Sequence, residues 1–590
     1  MKISNIGNVV LTSKFDRIVV SNIPKITYIL IGTQDDTDFQ IGLIPNEIAT
    51  IKMSGNTGFD ISSFPFNITS NSNDNEIIFY VKGNIGSVFQ YITFTEGAQR
   101  MAFINAALTD KSSFAVAVES STVGVLPGSP SWEYLEVNSI SDFGESLGKT
   151  ARTPISGDRM RRKGSPTSLD SAVGFDTDLT YSVLNKFAKG FFFSSWKAQT
   201  SFVPTAVTTS GYTVASGGTL PASTLLYARN FSNSTNNGLK ICKTSTSATI
   251  LEITTSTVAE TPPASARVDI VGFQGASGDI TMNSTGGLTS TTLDFTTLGL
   301  NVGQRIYIGG SSTATTFATS GAGFARVKAI AAHLLTLEDV PSTFTTDAGA
   351  GKTIQIFIGS FIRNVPFSSA DFSTETYTFE VVYDYGTGTK EYQYPNGNFA
   401  NTLSIGMNME DKATSTFGFV GLDTPIPTTS RKSGTWVPQY DTTMLNTTSD
   451  FATLSIKAKD GTSIVAASDS VVQSLSLDIN NNISIKKALG SLGGVTYALG
   501  NFTVDISATL YFNSSNSIVS IRDNDTVSIC WCLSNEDGGY FFDIPSMTLE
   551  GGARSFPAND TISIDISGMD FKDDFYGFSL GLTKFPYLPV

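Results

Sequence analysis

Apolar and polar residues alternate with period two along much of the chain. Leu403, Ile405 and Met407 are separated by single polar or small residues, and Ile562, Ile564 and Ile566 repeat the arrangement. Alternation of this kind puts every second side chain on one face, so each run predicts a strand with one buried face. A polar link follows each run. A second predicted strand comes next, carrying Phe417-Gly418-Phe419 in one case and Tyr576-Gly577-Phe578 in the other. The two stretches superpose at a shift of 159 positions (402 to 561): Thr402 falls on Thr561, Ser404 on Ser563, Ile405 on Ile564 and Asp411 on Asp570. Internal similarity of this length predicts a duplicated unit.

A second box repeats upstream. Phe175 and Asp178 match Phe502 and Asp505 at a shift of 327 (175 to 502). Each copy is followed by a predicted short helix. Ser182–Ala188 places Leu184, Phe187 and Ala188 on one face, and Asn516–Asp523 does so less cleanly with Ile518, Val519 and Ile521. Ser and Asn at the starts are the expected caps. The two boxes lie 59 residues apart in the second copy (502 to 561) and 227 in the first (175 to 402). The first copy therefore holds 168 extra residues (227 less 59), bracketed between Trp196 and Phe372. They read as further strands, as in Arg305–Ile308, Phe324–Ile330 and Ile354–Ile358, and predict a small closed barrel. Residues 1–112 match neither copy and read as an extra β domain, with strands around Ile18–Val20, Tyr28–Ile31, Ile77–Val81 and Tyr91–Phe94.

Composition agrees with a β protein. Only 15% of the 590 residues are charged, and Gly, Ser, Thr and Asn replace the Ala, Leu, Glu and Lys that long helices need. A net charge of −14 argues against a nucleic-acid-binding surface, which requires a basic footprint. Three cysteines do not make a disulfide scaffold. No stretch reads as a signal peptide or a membrane span.

The chemical motifs fail on their context. Asp347–Thr353 imitates the end of a phosphate-binding loop, but Thr346 replaces the first glycine and a strand follows instead of a helix. A hairpin turn is expected. Gly577–Gly581 has the spacing of a nucleophile elbow, yet no histidine follows it. The single histidine, His333, is expected to be a half-buried strand residue. Cys530 and Cys532 flank Trp531, so on a strand both thiols share a face and are expected to pack in a core. Asp523-Asn524-Asp525 lacks the glycine and distal Glu of a calcium loop and reads as a solvated turn. No catalytic residue, cofactor or metal is assigned.

From Phe114 the text contains GVLPGSP (Gly124–Pro130), a basic run ahead of Thr167–Phe175, Asn501–Phe512 and a closing Phe585-Pro586-Tyr587-Leu588. Together these resemble the tail tube proteins of long-tailed, siphovirus-type bacteriophages. The resemblance covers about 114–590 and implies a mainly β protein: β-sandwich or barrel domains, each with a short helix. The domains then read 1–112 accessory; 113–198 with 366–428 first tube domain; 199–365 inserted decoration on the outer wall; and 429–590 second tube domain. It further implies a structural virion protein of the tail, not an enzyme, polymerising into stacked rings around a channel through which viral DNA passes without specific binding. With two domains per chain, a homotrimer ring of pseudo-six-fold symmetry is expected, stacked helically. Implied partners are the protein itself and the tape measure, tail terminator and baseplate or distal tail proteins, with no membrane; assembly is expected in the host cytoplasm. The basic run Arg159, Arg161, Arg162 and Lys163 is the expected ring-stacking element, facing Glu410, Asp411, Asp570, Asp573 or Asp574. The other class compatible with the composition is an extracellular β-rich tail fibre or adhesin, or a polysaccharide-degrading tail protein.

Overall fold

The computed structural model describes residues 107–589 apart from 108, 154, 156–159, 161, 245–246, 342–343, 386–387, 439–441, 460, 462 and 466–470; before residue 107 it describes only the backbone of strands. The chain divides into two compact units, Met1–Ala106 and Ala107–Val590. The first contains two four-stranded sheets. One is ordered Lys2–Val10, Val88–Thr95, Ile26–Thr33, Phe59–Asp60; the other Phe15–Ser21, Glu76–Lys82, Thr37–Ile44, Glu47–Met53. All four stretches expected to be strands there lie in strands.

The second unit is mainly β with two α-helices among its described residues. Its framework elements, in chain order, are β1 (Ser113–Val118), β2 (Ser139–Arg152), β3 (Arg162–Asp178), α1 (Val183–Phe192), β4 (Thr376–Asp384), β5 (Asn398–Asn408) and β6 (Thr414–Gly421). There follow β7 (Phe451–Ala458), β8 (Val472–Asn480), β9 (Thr503–Tyr511), α2 (Asn516–Asp523), β10 (Thr526–Asn535), β11 (Gly538–Ser555), β12 (Ser563–Asp570) and β13 (Gly581–Phe585). In the first half β1 pairs β4, β2 pairs β3, β3 pairs β6, β6 pairs β5 and β5 pairs β4. In the second half β7 pairs β10, β8 pairs β9, β9 pairs β12, β12 pairs β11 and β11 pairs β10. The same chain of partners thus occurs twice, with a helix after the third strand each time. β5 and β8 join the halves.

This correspondence differs from the one expected from sequence. β5 matches β11, and β6 matches β12, whereas the shift of 159 set the β5 sequence on β12. The upstream boxes are also out of register. α1 starts five residues after Asp178 ends β3 and α2 five after Tyr511 ends β9, so Asp178 answers to Tyr511, not to Asp505. The reason is physical: neighbouring strands of one sheet carry the same Ser/Thr and aliphatic alternation, so similarity alone does not fix which strand is which. Phe417-Gly418-Phe419 lies in β6 as expected. Tyr576-Gly577-Phe578 does not lie in a strand. The Asp573 carboxylate accepts the N–H groups of Phe575 and Tyr576, and Gly577 has φ 74, which turns the chain before β13 begins.

One core runs through both halves. Phe175 stacks on Phe417 at 5.1 Å between centroids, Phe379 meets Phe419 edge-on at 4.9 Å, and Phe187 of α1 packs on Phe417 at 5.2 Å. The same core includes Leu477, Ile506, Leu510 and Trp531 from the second half. α1 buries Val183, Leu184, Phe187, Ala188 and Phe191, the spacing of one helical face. Ser182 makes no capping bond; Thr180 Oγ1 accepts the Val183 N–H instead. α2 buries Ser517 and Ser520 and leaves Val519 half exposed.

The inserted segment begins and ends side by side, since Ser194 bridges to Phe372. It is an open ten-stranded sheet with a separate three-stranded sheet, not a closed barrel. Its two cores, one around Ile306 and Leu335 and one around Tyr212 and Val268, share the strand Arg267–Gln274. A long shared strand lets the sheet bury each lobe without closing on itself. His333 is exposed in the turn after Gly323–Ala331, its Nδ1 2.9 Å from the Leu293 carbonyl oxygen, because the hairpin reverses there. Asp347–Thr353 is the expected turn: Gly349 and Gly351 have φ 58 and 69, and Lys352 Nζ donates to the Thr313 carbonyl at 2.6 Å.

Candidate functional site, an acidic sheet face with two open edges

Eight strands form one run in the order β2, β3, β6, β5, β8, β9, β12, β11. Its inward face carries the core. Its other face can be read row by row from the register. One row crosses all eight strands: Ser139, Asp176, Thr416, Ser404, Asp478, Asp505, Met569, Thr548. The adjacent row reads Asp178, Thr414, Gly406, Ser476, Ser507, Ser567, Glu550. Asp142, Asp170 and Asp565 stand on the same face by parity.

This face is acidic and otherwise small and hydroxylic. Asp176 accepts hydrogen bonds from Ser139 Oγ and Thr416 Oγ1, each at 2.6 Å, and Asp565 accepts one from Thr509 Oγ1 at 2.8 Å. The strands' own basic residues are elsewhere. Lys149, Arg152, Arg162 and Lys163 are on the far part of the β2–β3 hairpin, and Arg554 stands opposite the core residue Ile564. Two cations reach in from loops, Lys412 to Asp178 at 2.7 Å and Lys487 to Asp170 at 2.5 Å. Gly418 makes the face flat, since a Cβ there would lie 2.3 Å from Thr402 Oγ1.

Among the described residues, β2 pairs on one side only, with β3. β11 pairs β10 up to Thr548; beyond it, Leu549–Ser555 pairs only β12. These are the two ends of the eight-strand run. Unpaired backbone along a strand is an invitation to another strand. By correspondence, β5–β8 is already such an edge-to-edge contact, and β11 and β2 are its counterparts.

The β2–β3 hairpin extends past the sheet. β6 pairs β3 only over Ser171–Asp178, while β2 stays with β3 to Arg162. At about 3.3 Å per residue the free part projects about 30 Å. Arg162 and Lys163 are exposed near its tip; Arg159 and Arg161 lie outside the described residues. Glu410 and Asp411 are exposed in the β5–β6 turn, next to the Asp178 end of β3, and therefore at the opposite end of the sheet from Arg162 and Lys163. Asp570, Asp573 and Asp574 are at the same end as the hairpin, since β12 runs antiparallel to β9 and ends at Asp570. Asp573 is buried. Burial opposes its charge, but Ser546 Oγ, the Tyr576 N–H and Lys459 hold its pKa at about 2. Asp570 accepts the Val504 N–H at 2.8 Å, and burial, with Asp505 nearby, raises its pKa. Asp574 is exposed.

The inserted segment is fixed to the second half through a dry, charged seam. Asp543 of β11, 1% exposed, accepts Arg326 Nε and Arg305 NH2, both at 2.7 Å. Arg305 also meets Asp339, which Lys457 of β7 reaches at 2.8 Å. Burial opposes the charge of Asp543, and the two guanidinium groups overcome it and hold its pKa down. Beside this network Cys530, Cys532, Phe541 and Phe585 pack against Leu225, Val271, Tyr307 and Phe357. The two thiols share a face and pack, as their parity suggested. Burial pushes Cys530 up to about 12, so it is not a thiolate at neutral pH. Neither the ion network nor the edges were signalled by local sequence, because their partners are far apart in the chain.

Among the described residues no group of three or more His, Cys, Asp or Glu is arranged to hold a metal, and no helix is long and apolar enough to cross a membrane. No curated protein matches the chain. A β-rich framework, an acidic sheet face and edges left open for further strands agree with the family model that matches the chain. It is that of the phage tail tube proteins, it spans residues 109–569, and the chain belongs to that family: it is a structural protein of the phage tail.

Proposed function

We propose that three chains close into a ring, that the acidic face of the eight-strand run lines its channel, and that the rings stack into the tube through which viral DNA leaves the virion. The observation that carries this reading is the repeated pairing order, with β5–β8 joining its two copies. Each copy is then one tube domain, 113–198 with 366–428 and 429–590, and residues 1–112 and 199–365 are additions. A ring needs six equivalent seams. Three chains bring three β5–β8 seams with them and form three more when β11 of one chain pairs with β2 of the next. The contact is heterologous and closes. Three times eight strands exceeds the 16–18 that already leave an aqueous channel in porins.

The acidic face suits passage of DNA. A carboxylate surface repels phosphate and gives no counter-ion release to drive binding. Stacking is head to tail: Arg162 and Lys163 of one ring approach Glu410 and Asp411 of the next, which lie at opposite ends of the sheet. Asp573 is occupied within its own chain and takes no part. The protein acts without catalysis, cofactor or metal, and is built into tubes in the host cytoplasm with the tape measure, terminator and baseplate or distal tail proteins. Family membership supports this reading over a fibre, adhesin or polysaccharide-degrading protein. Cryo-EM of the tube tests it: three chains per ring are expected, and six chains per ring would refute the trimer.

A further inference from the structure

The connection from β8 to β9 answers to the β2–β3 hairpin, and it lies over one end of the first half. Within it Ser484–Lys486 pairs with Thr496–Ala498. The Leu492 carbonyl accepts the Leu169 N–H at 2.9 Å, and the Leu422 carbonyl accepts the Gly494 N–H at 3.0 Å. Lys487 pairs with Asp170, and Tyr497 meets Phe399 at 4.1 Å between ring centres. Phe399 is buried, and Leu169 and Leu422 are half-buried.

The second half has an equivalent end. Asp178 answers to Tyr511, and the same shift of 333 (178 to 511) sets Leu169 on Phe502. Ala172 pairs Val420, and its equivalent Asp505 pairs Met569, so Leu422, two residues on, answers to Phe571. Among the described residues no hairpin covers these positions. Met569 and Phe571 are 48% and 40% exposed. A groove of about 550 Å³ opens between Phe502, Phe571, Phe193, Phe367 and Phe372. Apolar surface gathered in one place marks a contact that a partner can bury.

We infer that this groove receives Met160 from the β2–β3 hairpin of the neighbouring chain, an inference that rests on the ring proposed above. In that ring β11 of one chain meets β2 of the next as β5 meets β8. The neighbour's hairpin then stands to the groove as the β8–β9 connection stands to Leu169 and Leu422. Counted along the returning strand, Met160 answers to Gly493 (160 to 493); counted from the pairs Arg152–Arg162 and Lys486–Thr496, it answers to Gly494. Both glycines lie against the first half. A Cβ on Gly493 would be 2.9 Å from the Leu422 carbonyl oxygen and 4.0 Å from Leu169 Cδ2, and one on Gly494 would be 3.1 Å from Leu422 Cδ2. Where the closed contact has glycine against Leu169 and Leu422, the open one thus has a long side chain to offer to Phe502 and Phe571. Met160 is 76% exposed in the single chain, and a flexible thioether suits an irregular aromatic groove. Register shifts at Gly148/Lys149 and Thr150/Arg152 supply the bend that lays the hairpin over.

Photocrosslinking in assembled tubes tests this. Phe571 of the full-length protein is replaced by benzoylphenylalanine, and tubes grown from an equal mixture of light-isotope and heavy-isotope chains are illuminated. A protease that spares Lys and Arg should release a peptide pair joining position 571 to Met160, and light–heavy hybrids should show that two chains are joined. Links confined to one chain, or links to the β5–β6 turn of another chain, overturn the inference. A second comparison leaves the groove unaltered. Met160→Asp should slow tube growth, followed by light scattering, at least about tenfold, because it sets a charge among the rings. Met160→Leu should grow like the wild type. Equal growth of the two variants overturns the inference, and this comparison decides if the labelled chain does not assemble. A ring of six chains would leave these results unchanged, since they concern neighbouring chains and not their number; a ring of three without the link would sink the docking alone.

Discussion

Asp478 and Asp505 stand directly opposite each other on the neighbouring antiparallel strands β8 and β9, both exposed, and among the described residues neither carboxylate has a salt bridge. Like charges facing across a sheet destabilise it. The pair persists at the centre of the row that crosses all eight strands, so its benefit must lie outside the stability of the single chain. Asp505→Asn is expected to stabilise the isolated protein by about 0.2–1 kcal/mol, measured by denaturant unfolding. Lower stability would count against the like-charge reading.

The same face gives a functional expectation. Replacing Asp478, Asp505 and Asp565 together with Lys should slow DNA release from phage in vitro at low ionic strength, and added salt should restore it. Unchanged release at low salt would remove this face from the channel.

The register of the open edges follows from the closed one. Asp176, Thr416 and Ser404 are opposite one another, as are Thr509, Asp565 and Ala553 at the corresponding positions. Ser404 faces Asp478, whose partner Asp505 answers to Ala172, and Ala172 faces Gly144. Ala553 should therefore face Gly144 of the next chain, and Ser555 should face Asp142. With Asp142→Cys and Ser555→Cys combined, oxidation of assembled tubes should give a covalent species of three chains on a denaturing gel. A six-chain species, or none beyond one chain, contradicts the seam. The native cysteines are buried and should not interfere.

Asp543 locks the inserted segment. Asp543→Ala removes the carboxylate that the buried Arg305 and Arg326 share, leaving them only Asp339 and Glu338, and should cost about 3–5 kcal/mol. Replacing all three with apolar residues of similar volume should cost far less. For the same reason, deleting 199–365 and joining the ends should expose Cys530, Cys532, Phe541 and Phe585 and give an aggregating product, unless the exposed face and Asp543 are redesigned as well. Equal losses for the single and triple changes in calorimetry would show that the ions are not the source of the stability.

Lys584 gives a pH signature. Its pKa in the folded chain, lowered by burial and by Arg229 nearby to about 8, is below its unfolded value of about 10.4. Between those values the unfolded chain binds the extra proton, so stability should rise as pH increases from 8 toward 10. Compared with Lys584→Met, the wild type should gain stability across that window. A flat difference between the two curves would dismiss Lys584 as the cause.

Much of the framework was legible because parity is local. Leu403, Ile405 and Met407 reveal their face within six residues, and Cys530 and Cys532 reveal theirs within three. The first helix was found from its apolar spacing over Ser182–Ala188, although it runs on to Phe192. What parity lacks is the identity of the neighbour. The strands of β5 and β12 look alike, and only the pairings show that β5 answers to β11. Tyr576-Gly577-Phe578 reads like Phe417-Gly418-Phe419 until the Asp573 carboxylate is seen to gather the chain into a turn. The acidic row was invisible for the same reason: Asp478 and Asp505 are 27 positions apart (478 to 505) and become neighbours only through register.

The β5–β8 seam is made by folding, whereas its proposed counterpart would await another chain. In the proposed ring, half of the joints are therefore independent of protein concentration. Closing a loop grows harder only with the logarithm of its length, so the covalent joint forms at any dilution, while a β11–β2 joint obeys mass action. Ring formation then becomes a reaction of third order in chains where six separate domains would make it sixth. Tubes should start to grow at lower concentration, and with fewer stalled partial rings, than from the same domains cut apart.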